Sequence, residues 1–389
     1  MDWQAIIAAG EQRTVEFKSD RGPLPDRDLI DTVVCLTNGG GGYLFIGVED
    51  DGTVTGLHHD HQERPDLLPS LIASRTVPPL SVEVTVADDL DDRQTPVAIV
   101  QAPESKQPVA TSDGRLLVRY IDTEGEPGCR PLYPHELPGW RADRGQVDIT
   151  AQPVLGTTWE DLDPVEFARL RRMIEAYHGD DALLDLNDAE LARALGLVIP
   201  RQDERIPTLA GLLLVGKERA LTVHVPAHEI AFQVLRGTDV VANEIHRWPI
   251  LRAVERVLEG FEVRNEEREL NVGLFRVGIP AYDPRGFREA LNNALVHRDY
   301  HRLGAVHVQM YEDRILISNP GGFVEGVRAD NLLRIGPRPR NPRLADCFKR
   351  IGLVERTGRG INIIYAGQLR NGRRPPSYDR STEVNVTVT

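Results

Sequence analysis

The chain has 389 residues, 41% hydrophobic and 27% charged, with a formal net charge of −13. That length and composition give two or three folded domains and exclude a disordered or fibrous chain. No apolar run approaches the roughly 18 to 20 residues that span a bilayer. The start, Met1-Asp2-Trp3-Gln4, lacks a basic patch followed by an apolar stretch, so a cytoplasmic setting without a membrane is expected. Cys35, Cys129 and Cys347 are isolated and odd in number, which predicts neither a disulfide framework nor a zinc site.

In chain order, Glu16 and Lys18 fall on one side of an extended segment, with Phe17 pointing the other way into a core. Residues 28–37 carry a near-helical apolar stripe, and Leu44 to Val48 read as a central buried strand leaving a run of four glycines. Strand-like runs follow at 81–86, 96–100 and 115–121, closing a mixed α+β region near residue 145. Asp163-Pro164 reads as a helix N-cap with proline at the first helical position, and 187–196 as a second short helix. This small helical unit spans 146–205. From 206 to 389 a second α/β region is expected, with helices at 249–259 and 287–297 and a hairpin from 306–310 and 314–317. His58, His59 and His61 sit in a polar loop with no evident fourth metal ligand.

The net charge conceals an asymmetry. Residues 334–380 hold 12 Lys or Arg against three acids, a local balance of +9. Such a stretch is either a surface for phosphate or an Arg-rich solvated face. Within the second region, Glu289, Asn293 and His297 lie four residues apart on one helical stripe. They are either half-exposed surface residues or the seat of a magnesium nucleotide, with Asn293 offering the metal a carbonyl oxygen and Glu289 orienting or deprotonating a water. Downstream stand Asn319-Pro320-Gly321-Gly322 after a strand, then Glu355-Arg-Thr-Gly358-Arg-Gly360 opening a helix. Glycines there let backbone N–H groups approach phosphate oxygens at a helix N-terminus.

The order Glu-x3-Asn, Asn-Pro-Gly-Gly, Gly-x-Gly resembles the three nucleotide-contacting boxes of the Bergerat-fold (GHKL) ATPases. The stretches 288–300, 313–322 and 340–342, with 207–217 upstream, resemble the C-terminal part of the RecG-related family of ATP-dependent helicases and transcriptional regulators. The resemblance implies a two-layer α/β sandwich binding ATP and Mg2+. Glu289 would be the water-activating residue and Asn293 the metal ligand. His297 would also bind the cofactor, with Asn319, Gly321 and Gly322 on the adenine side and Gly358 and Gly360 on the phosphate side. Asn319 stands where typical members of the superfamily carry the Asp that reads the adenine amino group. No Gly-x4-Gly-Lys-Ser/Thr phosphate loop is present, so helicase chemistry is not expected.

The N-terminal pieces, Glu11-Gln-Arg-Thr-Val-Glu16-Phe-Lys18, Thr37-Asn38-Gly39-Gly40, Gly47-Val48-Glu49-Asp50-Asp51-Gly52, Glu104-Ser-Lys106-Gln-Pro108 and Leu117-Val-Arg119-Tyr120, resemble the Schlafen AlbA-type DNA-binding domain. Three roles stay open for them. Lys18, Lys106, Arg115 and Arg119 meet nucleic-acid phosphates; or Glu11, Glu16 and Asp50 gather a divalent metal for nuclease chemistry; or Glu16 and Lys18 form a structural ion pair while Asp50 holds a turn. With 6% aromatic residues and no ladder of rings, backbone recognition is favoured over base stacking. The reading is a nucleotide-responsive DNA-binding regulator, its partners being nucleic acid, DNA before RNA, and further copies of the chain. A metal-dependent nuclease is the alternative.

Overall fold

The structure is a computed structural model describing all residues except 1, 89, 91, 92, 123–125, 202, 203, 273, 274, 325, 355–358, 383 and 384. With 37% helix and 24% strand it is a mixed α+β chain, as expected. It divides into two compact units, Met1–Leu137 and Pro138–Thr389. Among the described residues no helix is long and apolar enough to cross a membrane.

In the first unit a four-stranded sheet is built from β1 (Val15–Lys18), β2 (Gly42–Ile46), β3 (Glu83–Ala87) and β4 (Val97–Ala102), in the order β1-β2-β4-β3. β1 and β2 run parallel and the other pairs antiparallel. The central place of β2 follows from Leu44, Phe45 and Ile46, apolar on both faces and fully buried. Phe45 packs with Phe17 and with Ile7 of α1 (Trp3–Ala8), whereas Leu44 and Ile46 pack with Leu29, Val33 and Leu36 of α2 (Asp26–Asn38). The hairpin of β5 (Leu117–Ile121) and β6 (Pro127–Pro131) is tied to the end of α2. There the Asn38 side chain donates to the carbonyls of Val109 and Leu117, both at 2.7 Å.

One expectation fails in this unit. Cys35 and Cys129 form a disulfide. The two are 94 residues apart, and it is the seating of the hairpin against α2 that brings their Cα atoms to 6.0 Å. Spacing along the chain carries no trace of that packing.

The second unit opens with α3 (Leu137–Asp143). Next come α4 (Pro164–Ala176), α5 (Asp188–Ala194) and α6 (Leu209–Val215). Asp163 and Asn187 cap α4 and α5 as expected, accepting from Val165 N–H and from Ala189 and Glu190 N–H. The helical stretch 146–205 does not stand alone, since Phe167, Leu170, Leu191 and Leu195 join one hydrophobic core with Val254, Leu291, Val308 and Phe348. Leu212, Leu213 and Leu214 of α6 are fully buried in it, each worth about 1.5–3 kcal/mol in transfer free energy.

A five-stranded sheet follows, from β7 (Ile230–Arg236), β8 (Asp239–His246), β9 (Val306–Met310), β10 (Ile315–Pro320) and β11 (Asn385–Val388), in the order β8-β7-β9-β10-β11. Only the β7–β9 pair is parallel; β9 and β10 form the expected hairpin. The helices of this region are α7 (Ile250–Glu262), α8 (Pro284–His297), α9 (Pro342–Ile351) and α10 (Gly360–Arg370). α8 starts three residues before the apolar stripe because Asp283 caps it, accepting from Gly286 N–H at 2.9 Å, with Pro284 next. α10 lies against α8 through Gly367, where an added side chain would collide with Asp283.

Candidate functional site

α8 carries the expected stripe, and its neighbours differ along its length. Glu289 is buried, and Gly360, the first residue of α10, presses against it closely enough that any side chain at 360 would run into its carboxylate. One turn on, Asn293 is half-buried and makes no hydrogen bond among the described residues. The adjacent Asn292 is fully buried and donates to Leu353 O at 2.7 Å, so of two consecutive asparagines one fastens the helix and the other has no hydrogen bond among the described residues. His297 closes the stripe, about 12 Å from Glu289 at 1.5 Å rise per residue. Burial, with the Arg340 guanidinium nearby, holds its pKa down at about 4, so its ring is neutral at pH 7.

The carbonyl end of α8 is finished by residues to which the sequence assigned no role. Arg340 Nη1 donates to His297 O at 2.8 Å, and the Asn341 side chain donates to Val296 O and Arg298 O at 2.7 and 2.8 Å. Three successive end carbonyls are thereby satisfied from one Arg-Asn pair. Arg340 Nη2 also reaches Gly322 O at 2.9 Å, and its Nε pairs with Asp143 Oδ1 of α3 at 2.5 Å. Burial raises the Asp143 pKa and the guanidinium opposes it.

The turn after β10 is therefore clipped to the end of α8. Gly321 has φ +97°, and a side chain there would meet Arg340 and Asp299. Although burial works against it, Asp299 is held at a pKa of about 2 by hydrogen bonds from the His301 side chain and N–H and by Arg340. Asn319 is buried, and its Nδ2 donates to Pro320 O at 3.2 Å; no hydrogen bond to its Oδ1 occurs among the described residues. Two of the three expected pieces thus meet α8 directly, the Asn319–Gly322 turn at its end and Gly360 at Glu289. Gly358 lies outside the described residues.

The basic stretch 334–380 is partly consumed internally. Arg340 is buried, Arg350 pairs with Asp180 at 3.0 Å, and Arg373 donates to the carbonyls of Ala281 and Asp313. Arg334, Lys349, Arg370, Arg374 and Arg380 remain exposed.

In the first unit Lys18 Nζ pairs with Glu16 Oε1 at 2.5 Å, and Arg119 Nη1 pairs with Glu16 Oε2. Arg119 Nη2 donates to Gln12 O and Val15 O, both at 3.1 Å, and the residue is only 3% exposed. It reaches that position over Gly39, where an added Cβ would stand 2.5 Å from its own. Arg119 is thus an internal strut with no face for phosphate, a correction to the sequence-based expectation. Arg115 is half-buried and paired with both Asp31 and Asp113, whereas Lys106 is exposed.

Glu11 Oε1 accepts from Phe17 N–H at 2.7 Å, and burial, reinforced by Glu16, raises its pKa. Asp50 is exposed and lines a surface depression with Gln4, Ile7, Gly10 and Asp51. Glu11, Glu16 and Asp50 do not gather as a metal cluster, against the nuclease expectation. Among the described residues the group with three ligand atoms in mutual reach is His58, His59 and Asp60, at the surface. His61 beside them is taken by the fully buried Asp20, at 2.9 Å.

Comparison with known proteins assigns the class first. Residues 11–126 match the family described as "Schlafen, AlbA_2", and 304–389 the family described as "Putative ATP-dependent DNA helicase recG C-terminal". Residues 141–231 match a domain of unknown function, DUF8451. The chain thus carries an N-terminal Schlafen AlbA_2 domain, a DUF8451 middle domain and a RecG-like C-terminal domain. The RecG match begins after α8, so Glu289, Asn293 and His297 lie outside it and rest on geometry. Among solved structures, the DIP2311 protein from Corynebacterium diphtheriae is similar at 24% identity and a TM-score of 0.52, over 99% of this chain and 78% of that one, a likeness of fold alone. No curated protein matches.

Proposed function

We propose that the chain is a nucleic-acid-binding regulator whose second unit is a Bergerat-type sandwich that binds ATP with Mg2+. The observation that carries this reading is the Asn293–His297 stretch of α8. Two side chains without hydrogen-bond partners among the described residues lie there between a glycine helix start at Glu289 and a glycine turn clipped at His297. The donor set fits a magnesium nucleotide. Asn293 offers a neutral oxygen of the kind Mg2+ accepts beside phosphates, and Glu289 stands one turn away. Bound Mg2+ would neutralise triphosphate charge. The start of α10 would contribute N–H groups and Gly360 the close approach.

Asn319 supports an adenine preference. With its Nδ2 turned to Pro320, its Oδ1 is the acceptor that an adenine amino group needs and that the guanine carbonyl oxygen repels. In the first unit Lys106 and Lys18 are the remaining cations for phosphate, Lys18 in exchange with Glu16. DNA binding, transcriptional regulation, assembly with further copies and a cytoplasmic setting belong to the same reading.

A thermal-shift series with ATP, GTP and Mg2+ tests it. ATP with Mg2+ should raise Tm more than GTP, and Asn293→Ala should remove the magnesium-dependent part. Duplex DNA affinity measured with and without ATP then tests the switch, and equal values remove it. Metal-dependent cleavage lost in Glu16→Ala would instead favour a nuclease.

A further inference from the structure

A cavity of about 590 Å3 opens in the second unit away from the stripe, between the N-terminal half of α8, the C-terminal half of α10 and the ends of β10 and β11. None of Glu289, Asn293, His297, Asn319, Gly321, Gly322 or Gly360 lines it. Its floor is apolar, from Phe287, Ala290, Ile315, Ile317, Ile364 and Val388. Its polar side is cationic. Arg314, Arg373 and Arg374 line it, and Asp313, the one acidic side chain among the described lining residues, is already engaged by Arg314 at 3.1 Å.

Two features mark that side as a seat for a ligand. The Arg373 guanidinium lies 3.6 Å over the Tyr282 ring and is fixed by the carbonyls of Ala281 and Asp313, so it is set in place in advance. Arg374 lines the same side at an exposed position and makes no ion pair among the described residues. A guanidinium without a counter-charge beside an apolar floor is suited to a ligand anion. The volume falls in the range of small-molecule sites, which combine an apolar body with few polar groups.

We propose that this cavity binds a small amphipathic anion, a ring or alkyl chain carrying one carboxylate or phosphate. The apolar part lies on Phe287, Ile317 and Ile364 and the anionic group among Arg314, Arg373 and Arg374. Because α8 and α10 form two of its walls, an occupant bears on the same helices that present Glu289 and Gly360.

The test uses the full chain and fluorescence of anilinonaphthalene sulfonate, displaced by decanoate or by decanol, which share a chain length and differ in charge. Decanoate should displace the probe at about tenfold lower concentration than decanol, the ratio that a single charge-assisted contact supplies. Arg374→Gln, at an exposed position, should erase most of that advantage and leave decanol unchanged, and Ala290→Phe, which fills the floor, should abolish both. Equal displacement by decanoate and decanol, unaltered in Arg374→Gln, would overturn the proposal. So would competitive displacement by ATP with Mg2+, which would make the cavity the nucleotide's own.

Discussion

The two units keep buried polar groups by different means. In the first, side chains answer side chains in Glu16 with Lys18 and Arg119, Asp20 with His61 and Arg115 with Asp31, although Asn38 and Arg119 also hold carbonyls. In the second, the polar residues that shape the site answer backbone. Arg298 is fully buried and donates to the carbonyls of Ala227, Asp299, Arg302 and Gly304, and Arg340, Asn341 and Asn292 likewise hold carbonyls. Charge pairs of the first kind respond to salt and to loss of either partner. Arg298, bound to carbonyls and in no ion pair among the described residues, has no paired acid to titrate against it and fixes loop geometry over a wide pH range, whereas Arg340 also leans on Asp143.

The largest test of this contrast is Arg298→Met. Four carbonyls lose their donor, those of Ala227 and Asp299 in buried bonds, and a loss of about 3–5 kcal/mol is expected, read as a fall in the thermal midpoint of roughly 10 °C. A loss under about 1 kcal/mol would mean that the carbonyls find other donors.

Next comes acid. His228 is fully buried, and burial lowers its pKa from 6.5 to about 4. Its neutral form is favoured in the folded state, so the unfolded chain binds more protons between those values and stability falls as pH drops from about 6.5 to 4. The full shift corresponds to about 3 kcal/mol. Denaturant melts across that range should show the decline, and His228→Gln should remove about half of it, the rest coming from His297. Glu11 behaves oppositely, because its raised pKa makes protonation favourable to the folded first unit.

A smaller effect is expected in Glu16→Gln, which leaves Arg119 buried without its counter-charge, at about 2 kcal/mol. The cost should appear as earlier proteolysis of the first unit, with Lys18→Met nearly neutral by comparison because Lys18 is partly exposed. The smallest concerns binding. Lys106→Ala should weaken duplex DNA two- to threefold and lower the salt slope by about one. An unchanged slope would remove Lys106 from the phosphate-contacting set.

What the sequence made readable were features written locally. The Asp163-Pro164 start of α4, the apolar spacing of α8, the β9–β10 hairpin and the inward Phe17 between Glu16 and Lys18 all depend on nearby residues. What escaped depends on distant approach. Arg119 reads as a strand-borne cation until Gly39, 80 positions earlier, opens room for it to turn inward. Arg340 and Asp143 meet only because the turn after β10, the end of α8 and α3 converge on one guanidinium. Asn292 and Asn293 are chemically identical neighbours, and it is the carbonyl of Leu353 that makes the first an anchor.

Arg340 has one more consequence. By holding Gly322 O from the far side of residues 323–339, it fastens both feet of that stretch to a single side chain. The crest is then free to change length without displacing the turn or the helix end, since a longer closed loop costs only a few tenths of a kcal/mol per added few residues. Diversification within the lineage, or a reporter grafted by design, has in that crest a permissive place to act.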